Sequence, residues 1–118
     1  MYKTAVEKEY LLYVVELMQS IGPVYAKAMF GGYGIYLDGL MFALISDQVL
    51  YLKVDKQTES EFKDRGLEAF SYYRKGSQCQ LSYRRAPDDA LEDTQVMNYW
   101  TNMAYAAATR AASGKRKK

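Results

Sequence analysis

The chain contains no histidine, a single cysteine and only two prolines among its 118 residues, and the first two scarcities each narrow the functions open to it. Without histidine the commonest general base and metal ligand is missing, so acid–base and metal-dependent catalysis lose their usual side chain. Cys79 has no second cysteine for an internal disulfide, which fits a reducing compartment. With no histidine to activate it, Cys79 reads as a buried core thiol in a strand rather than as a nucleophile. No apolar run reaches the roughly 18 residues that a membrane span requires. The opening stretch MYKTAVEKEY is too polar for a signal peptide. The expectation is a cytoplasmic protein without membrane contact, catalytic residues, metal site or cofactor.

What is present reads as one globular domain. Hydrophobic residues make up 49% and charged residues 25%, close to the average for folded soluble chains. Residues 1–112 form the expected domain, and the basic residues 113–118, which offer no apolar anchor, are expected to be a disordered tail. The net charge of +2 hides an uneven distribution. Five of the 16 cations are Arg110, Lys115, Arg116, Lys117 and Lys118, so the first 109 residues hold 11 cations against 14 acids, a balance of −3. A slightly acidic body argues against a broad nucleic-acid surface, because phosphate binding relies on clustered lysine and arginine.

Periodicity gives the element order. Thr4 and Glu7 form a capping box ahead of Leu11, Val14, Val15 and Met18 at helical spacing, and Ile21-Gly22-Pro23 stops that helix. Residues 24–30 suggest a further short helical turn. Three strand-like runs follow, at 33–37, 41–45 and 49–54, separated by the hairpin signal Asp38-Gly39 and by Ser46-Asp47-Gln48. In the third run Leu50, Leu52 and Val54 alternate with Val49, Tyr51 and Lys53, which places Tyr51 and Lys53 away from the core. Residues 58–67 read as a short exposed helix, and 70–74 and 78–84 as a hairpin around Lys75-Gly76-Ser77. Pro87-Asp88-Asp89-Ala90 starts a last helix that runs to about Ala112. The fold class is therefore α+β, a five-stranded antiparallel sheet with terminal helices packed on it, in the order α-β-β-β-α-β-β-α.

Two stretches invite a functional reading. Gly31-Gly32-Tyr33-Gly34 looks like a phosphate loop, yet such loops need a strand before the glycines and a helix after them, and here the order is reversed. The G-x-x-G and GYGIYL strings also lack the flanking elements of KH and RRM domains. Gly31, Gly32 and Gly34 are accordingly read as structural, serving a close approach or a bulge at a strand entry. The second stretch, 69–87, holds Arg74, Lys75, Arg84 and Arg85 with Tyr72, Tyr73 and Tyr83 and no acid. Arginine among aromatics serves protein-interface hot spots and nucleic-acid stacking alike. With Tyr51 and Lys53 from the neighbouring run, Tyr72, Arg74, Lys75, Arg84 and Arg85 make the candidate interaction surface. Paired acids at Asp88-Asp89 and Glu92-Asp93 are read as complementing a helix dipole rather than as catalytic carboxylates.

The run MFGGYGIYLDGLMFALISDQVLYLKVD, residues 29–55, resembles the signature block of the N-terminal domain of the TfoX (Sxy) competence-regulator family. FSYYRKGSQCQLSYRRAPDDALED, residues 70–93, is similar to that family's second block. The resemblance implies a fold likened to secretion chaperones, no enzymatic activity, and a part in the transcriptional control of competence and DNA uptake. It also implies a protein partner, a transcription regulator of the cyclic-AMP receptor type. The family's two-domain regulators carry a further helical domain, so this chain is expected to be a stand-alone first domain. The tyrosine-rich composition adds a homodimer as an expectation. The alternative is direct, weak nucleic-acid binding through the 70–85 hairpin and the basic tail.

Overall fold

The computed structural model describes residues 5–29 and 31–116, without the side chains of Ala5, Tyr73, Arg74, Cys79, Gln80, Lys115 and Arg116. Three helices, α1 (Ala5–Leu17), α2 (Glu59–Asp64) and α3 (Thr94–Arg116), accompany six strands. The strands are β1 (Tyr25–Met29), β2 (Gly32–Leu37), β3 (Leu40–Ser46), β4 (Val49–Lys53), β5 (Ala69–Arg74) and β6 (Ser77–Arg85). They form one sheet in the order β1-β2-β3-β4-β6-β5, with every neighbouring pair antiparallel.

The α+β class and the antiparallel sheet with helices at both ends hold, but the sheet has six strands rather than five. The added one is β1, in the segment that suggested a helical turn. Ala26, Lys27, Ala28 and Met29 are good helix formers, but pairing with β2 from Tyr25↔Tyr36 to Met29↔Gly32 overrides that local preference. The capping box at Thr4 lies outside the described residues. The last helix also starts later than Pro87 suggests. Asp88–Leu91 forms a 3-10 turn, and α3 begins after Asp93, whose Oδ1 accepts from the Gln95 and Val96 N–H groups at 2.8 and 3.3 Å. Helix α3 runs on to Arg116, past the point where the apolar periodicity fades.

Three of the hairpins turn on two residues with positive φ, the left-handed pair that matches strand twist: Asp38-Gly39, Asp47-Gln48 and Lys75-Gly76. The helices cover one face of the sheet. Leu11 and Val14 of α1, Met18 just after it, Phe62 of α2, and Met97, Trp100, Ala104 and Ala108 of α3 meet Ile35, Phe42, Leu50 and Leu52 in one core. Phe62 and Trp100 pack edge to face at 4.9 Å, which fastens the short α2 to α3. At the entry to α2, the Gln57 N–H donates to Asp55 Oδ1 and the Asp55 N–H to Thr58 Oγ1. Arg110 of α3 then clasps Asp55 from two nitrogens, at 2.6 and 3.1 Å.

Candidate interaction surfaces

Strand alternation divides the sheet into a helix-covered face and an open face. In β4, Leu50, Leu52 and Val54 enter the core, while Tyr51 and Lys53 stand half-buried on the other side. The ladder carries that face across the sheet: Gly34 pairs with Leu44, Leu44 with Tyr51 and Tyr51 with Arg85, while Tyr25 pairs with Tyr36 and Lys53 with Tyr83.

The rings on this face contact one another. Tyr25 and Tyr36 stack at 5.6 Å between centroids, Tyr51 meets Phe70 at 4.9 Å, and Phe70 stacks on Tyr72 at 6.2 Å. Two lysines lie over rings, Lys27 Nζ 5.1 Å from the centre of Tyr36 and Lys53 Nζ 5.2 Å from that of Tyr83. The Tyr83 hydroxyl donates to the Met41 carbonyl at 3.4 Å. Burial, and secondarily its neighbour Tyr36, pushes the Tyr83 phenol up to about 12, so it stays a neutral donor.

The residues singled out in the sequence do not all share this face. Tyr51, Lys53 and Tyr72 do, and the register adds Arg85, which lies 3.8 Å from both Glu68 and Asp88. Arg84 turns to the helix side, where Nε reaches Glu59 Oε2 at 3.1 Å and an N–H of Nη1 donates to the Leu67 carbonyl at 2.8 Å. It ties α2 and the segment after it to β6, and is structural. Lys75 is exposed in the hairpin turn at φ 53°, and the side chain of Arg74 lies outside the described residues. Sequence reasoning missed Tyr25, Lys27 and Tyr36. Their signal was the alternation Tyr25, Lys27, Met29, hidden by the helical reading of that segment.

The glycines serve the sheet. A Cβ on Gly32 would lie 2.1 Å from the Ile45 carbonyl oxygen, and one on Gly34 would lie 2.8 and 2.9 Å from the sulfurs of Met41 and Met29. The adjoining cavity, about 120 Å³, is lined by the carboxylates Glu7 and Asp47 as well as Gly31 and Gly32, which opposes a phosphate there. A second cavity, about 460 Å³, is lined by Asp55, Glu59 and Arg84, whose charges already have partners in the Arg110–Asp55 and Arg84–Glu59 ion pairs. Among the described residues no group of three or more histidine, cysteine, aspartate or glutamate side chains could hold a metal ion. No helix among them is long and apolar enough to cross a membrane.

The helical layer shows a different character. Val6, Leu12 and Tyr13 of α1 are 60%, 53% and 49% exposed, and Tyr99 of α3 is 51% exposed. Two of these tyrosines are anchored by their hydroxyls, Tyr13 to the Leu91 carbonyl and Tyr99 to Glu61.

In comparison with known proteins, residues 16–108 match the family described as the TfoX N-terminal domain. The DNA transformation protein TfoX1 of Aliivibrio fischeri (strain ATCC 700601 / ES114) is 27% identical over 66 residues, which are 56% of this chain and 32% of that protein. The chain thus spans about a third of that relative's length.

Proposed function

The chain belongs to the TfoX N-terminal domain family, and from that premise we propose that it is a non-catalytic regulatory domain acting through protein contact in the transcriptional control of competence and DNA uptake. The family match ties it to DNA transformation through a relative of that name. The observation that carries the contact reading is the helical layer, where Val6 and Leu12 expose most of their apolar surface to water. Large aliphatic side chains left outside a well-formed core are the kind of surface that partners bury. The partner is a transcription regulator of the cyclic-AMP receptor type, and α1 is the element it covers.

The test is a titration of the purified chain with such a regulator, in the presence of nuclease. Saturable binding is expected, and Leu12→Glu, which changes an exposed side chain and leaves the core intact, should weaken it at least tenfold. No binding, or equal binding by the variant, overturns the reading.

A further inference from the structure

The helices pack on one side of the sheet, and the charges of the open face are sorted by end. One row of paired residues crosses five strands: Lys27 on β1, Gly34 on β2, Leu44 on β3, Tyr51 on β4 and Arg85 on β6. Among the described residues of β1, β2 and β3, only Lys27 carries a charge. At the other end of the row Arg85 lies 3.8 Å from both Glu68 and Asp88, whose side chains are 65% and 83% exposed. One cation against two carboxylates leaves that end negative. Burial, and after it the charge of Glu68, raises the Tyr51 phenol, so the acidic field reaches the neighbouring strand. Between the two ends lie Gly34, Leu44 and Tyr51, beside Met41 and the stacked Tyr25–Tyr36 pair.

A face that is positive at one end, apolar in the middle and negative at the other complements a second copy of itself turned end for end. A two-fold axis parallel to the strands above Leu44 produces that arrangement. It lays Lys27 of each copy over the Glu68 and Asp88 end of the other, and it keeps the two Lys27 residues about 19 Å apart across the sheet, four strand spacings. Strands β1 and β6 run in the same direction, four antiparallel steps apart. Tyr25, two residues before Lys27, is thereby brought over Tyr83, two residues before Arg85. The strands of the two copies are then nearly aligned, as in sandwich packing. We infer that the open face is the interface of a symmetric homodimer, in which Lys27 of each protomer meets Glu68 and Asp88 of the other around a centre of Leu44, Met41 and tyrosine rings.

Charge and size choose this occupant over others. A nucleic acid attracted by Lys27 would be repelled by Glu68 and Asp88 at the other end. An acidic protein meets the same obstacle, and a basic one meets Lys27. Tyrosine and methionine at the centre with charges at the rim are the composition of a protein interface. Six strands about 4.8 Å apart, with about six residues each at 3.3 Å, give a face of roughly 29 by 20 Å. Two such faces cover about 1,200 Å², the low end of stable interfaces, which corresponds to a dimer in the micromolar range. The inference goes beyond the protein-contact reading and leaves both α1 helices exposed on the far side of each copy, so either can fail alone.

The experiment is sedimentation velocity of the full chain over micromolar to millimolar concentrations, at low and moderate salt. A dimer should grow with concentration and weaken as salt rises. Lys27→Glu and Glu68→Lys should each weaken it about tenfold, because each sets like charges against each other across the interface. The two substitutions combined restore opposite charges and should return the affinity to within about threefold of the unaltered chain. Both positions are exposed, and circular dichroism checks that the variants fold. Leu12→Glu should dimerise as the unaltered chain does. A monomer at every concentration, a dimer indifferent to folded Lys27→Glu, or no recovery in the combined variant overturns the inference. So does a dimer that Leu12→Glu dissociates, which would place the interface on the helical layer.

Discussion

A Cβ placed on Gly32 would overlap the Ile45 carbonyl oxygen at 2.1 Å, and that oxygen belongs to the backbone of the adjacent strand and cannot rotate away. Gly32→Ala should therefore separate β2 from β3 locally and cost about 1–3 kcal/mol, as overpacking in a well-filled interior does. Thermal unfolding measures it, and an unchanged melting temperature would mean that the strand entry has room. The need for a small residue was legible in the glycine triplet, but the neighbour that imposes it was not, because the register alone brings Ile45 opposite. Asp55 and Arg110 make a second case. Hydrogen bonds from Arg110 hold the Asp55 carboxyl below its ordinary value, so the folded chain takes up that proton less readily than the unfolded one. The pair's stabilisation is fully present above the unfolded-state pKa and is lost as pH falls through the lowered folded-state pKa. Both side chains are partly exposed, at 36% for Arg110 and 25% for Asp55. Arg110→Ala should thus cost only about 0.2–1 kcal/mol near neutrality, with the difference from the unaltered protein shrinking in strong acid. Melting temperatures from neutral to acid pH would show this, and a difference that grows in acid would exclude the ion pair as its cause.

Elements differ in how openly the sequence declares them. The hairpin at Asp38-Gly39 was plain because both residues tolerate positive φ, whereas Asp47-Gln48 turns in the same way, at φ 52° and 58°, with a glutamine where glycine is favoured. Gln48→Gly should relieve that left-handed conformation and stabilise the protein by about 1 kcal/mol, read as a rise in the denaturation midpoint. A fall would show that the Gln48 side chain contributes more than its backbone costs. Strand β1 was illegible for the converse reason: a stretch of alanine, lysine and methionine has no strand preference of its own, and only the exposed edge of β2 supplies one. The far end of α3 extends beyond its apolar face because nothing local stops it. Ser113 and Gly114 are exposed there, and a Cβ on Gly114 would meet no atom within 4 Å. Truncation after Ala112 should leave the melting temperature almost unchanged, and a drop of several degrees would show that these residues pack.

For the whole molecule, sorting by face was only half legible. Alternation in β4 placed Tyr51 and Lys53 correctly on the open side, because each strand reports its own two faces through a period of two. The sequence could not show that Arg84 answers Glu59 across α2, while Lys27 and Tyr36 join the open face from a strand pair far off in the chain. Nearness in sequence gathered Arg84 and Arg85 into one group, and the sheet sends them to opposite sides. The result is a molecule with apolar side chains displayed on its helical layer and tyrosines with lysines displayed on the opposite face. We propose that such a domain acts by contact, in transcription, without chemistry of its own. Transcription in vitro from a DNA-uptake promoter, with RNA polymerase and a cyclic-AMP receptor-type regulator, with and without this chain, tests this. The predicted result is a change in transcript yield that requires both the chain and the regulator and is lost with Leu12→Glu. Identical yields with and without the chain would contradict it, as would a full effect in the absence of the regulator.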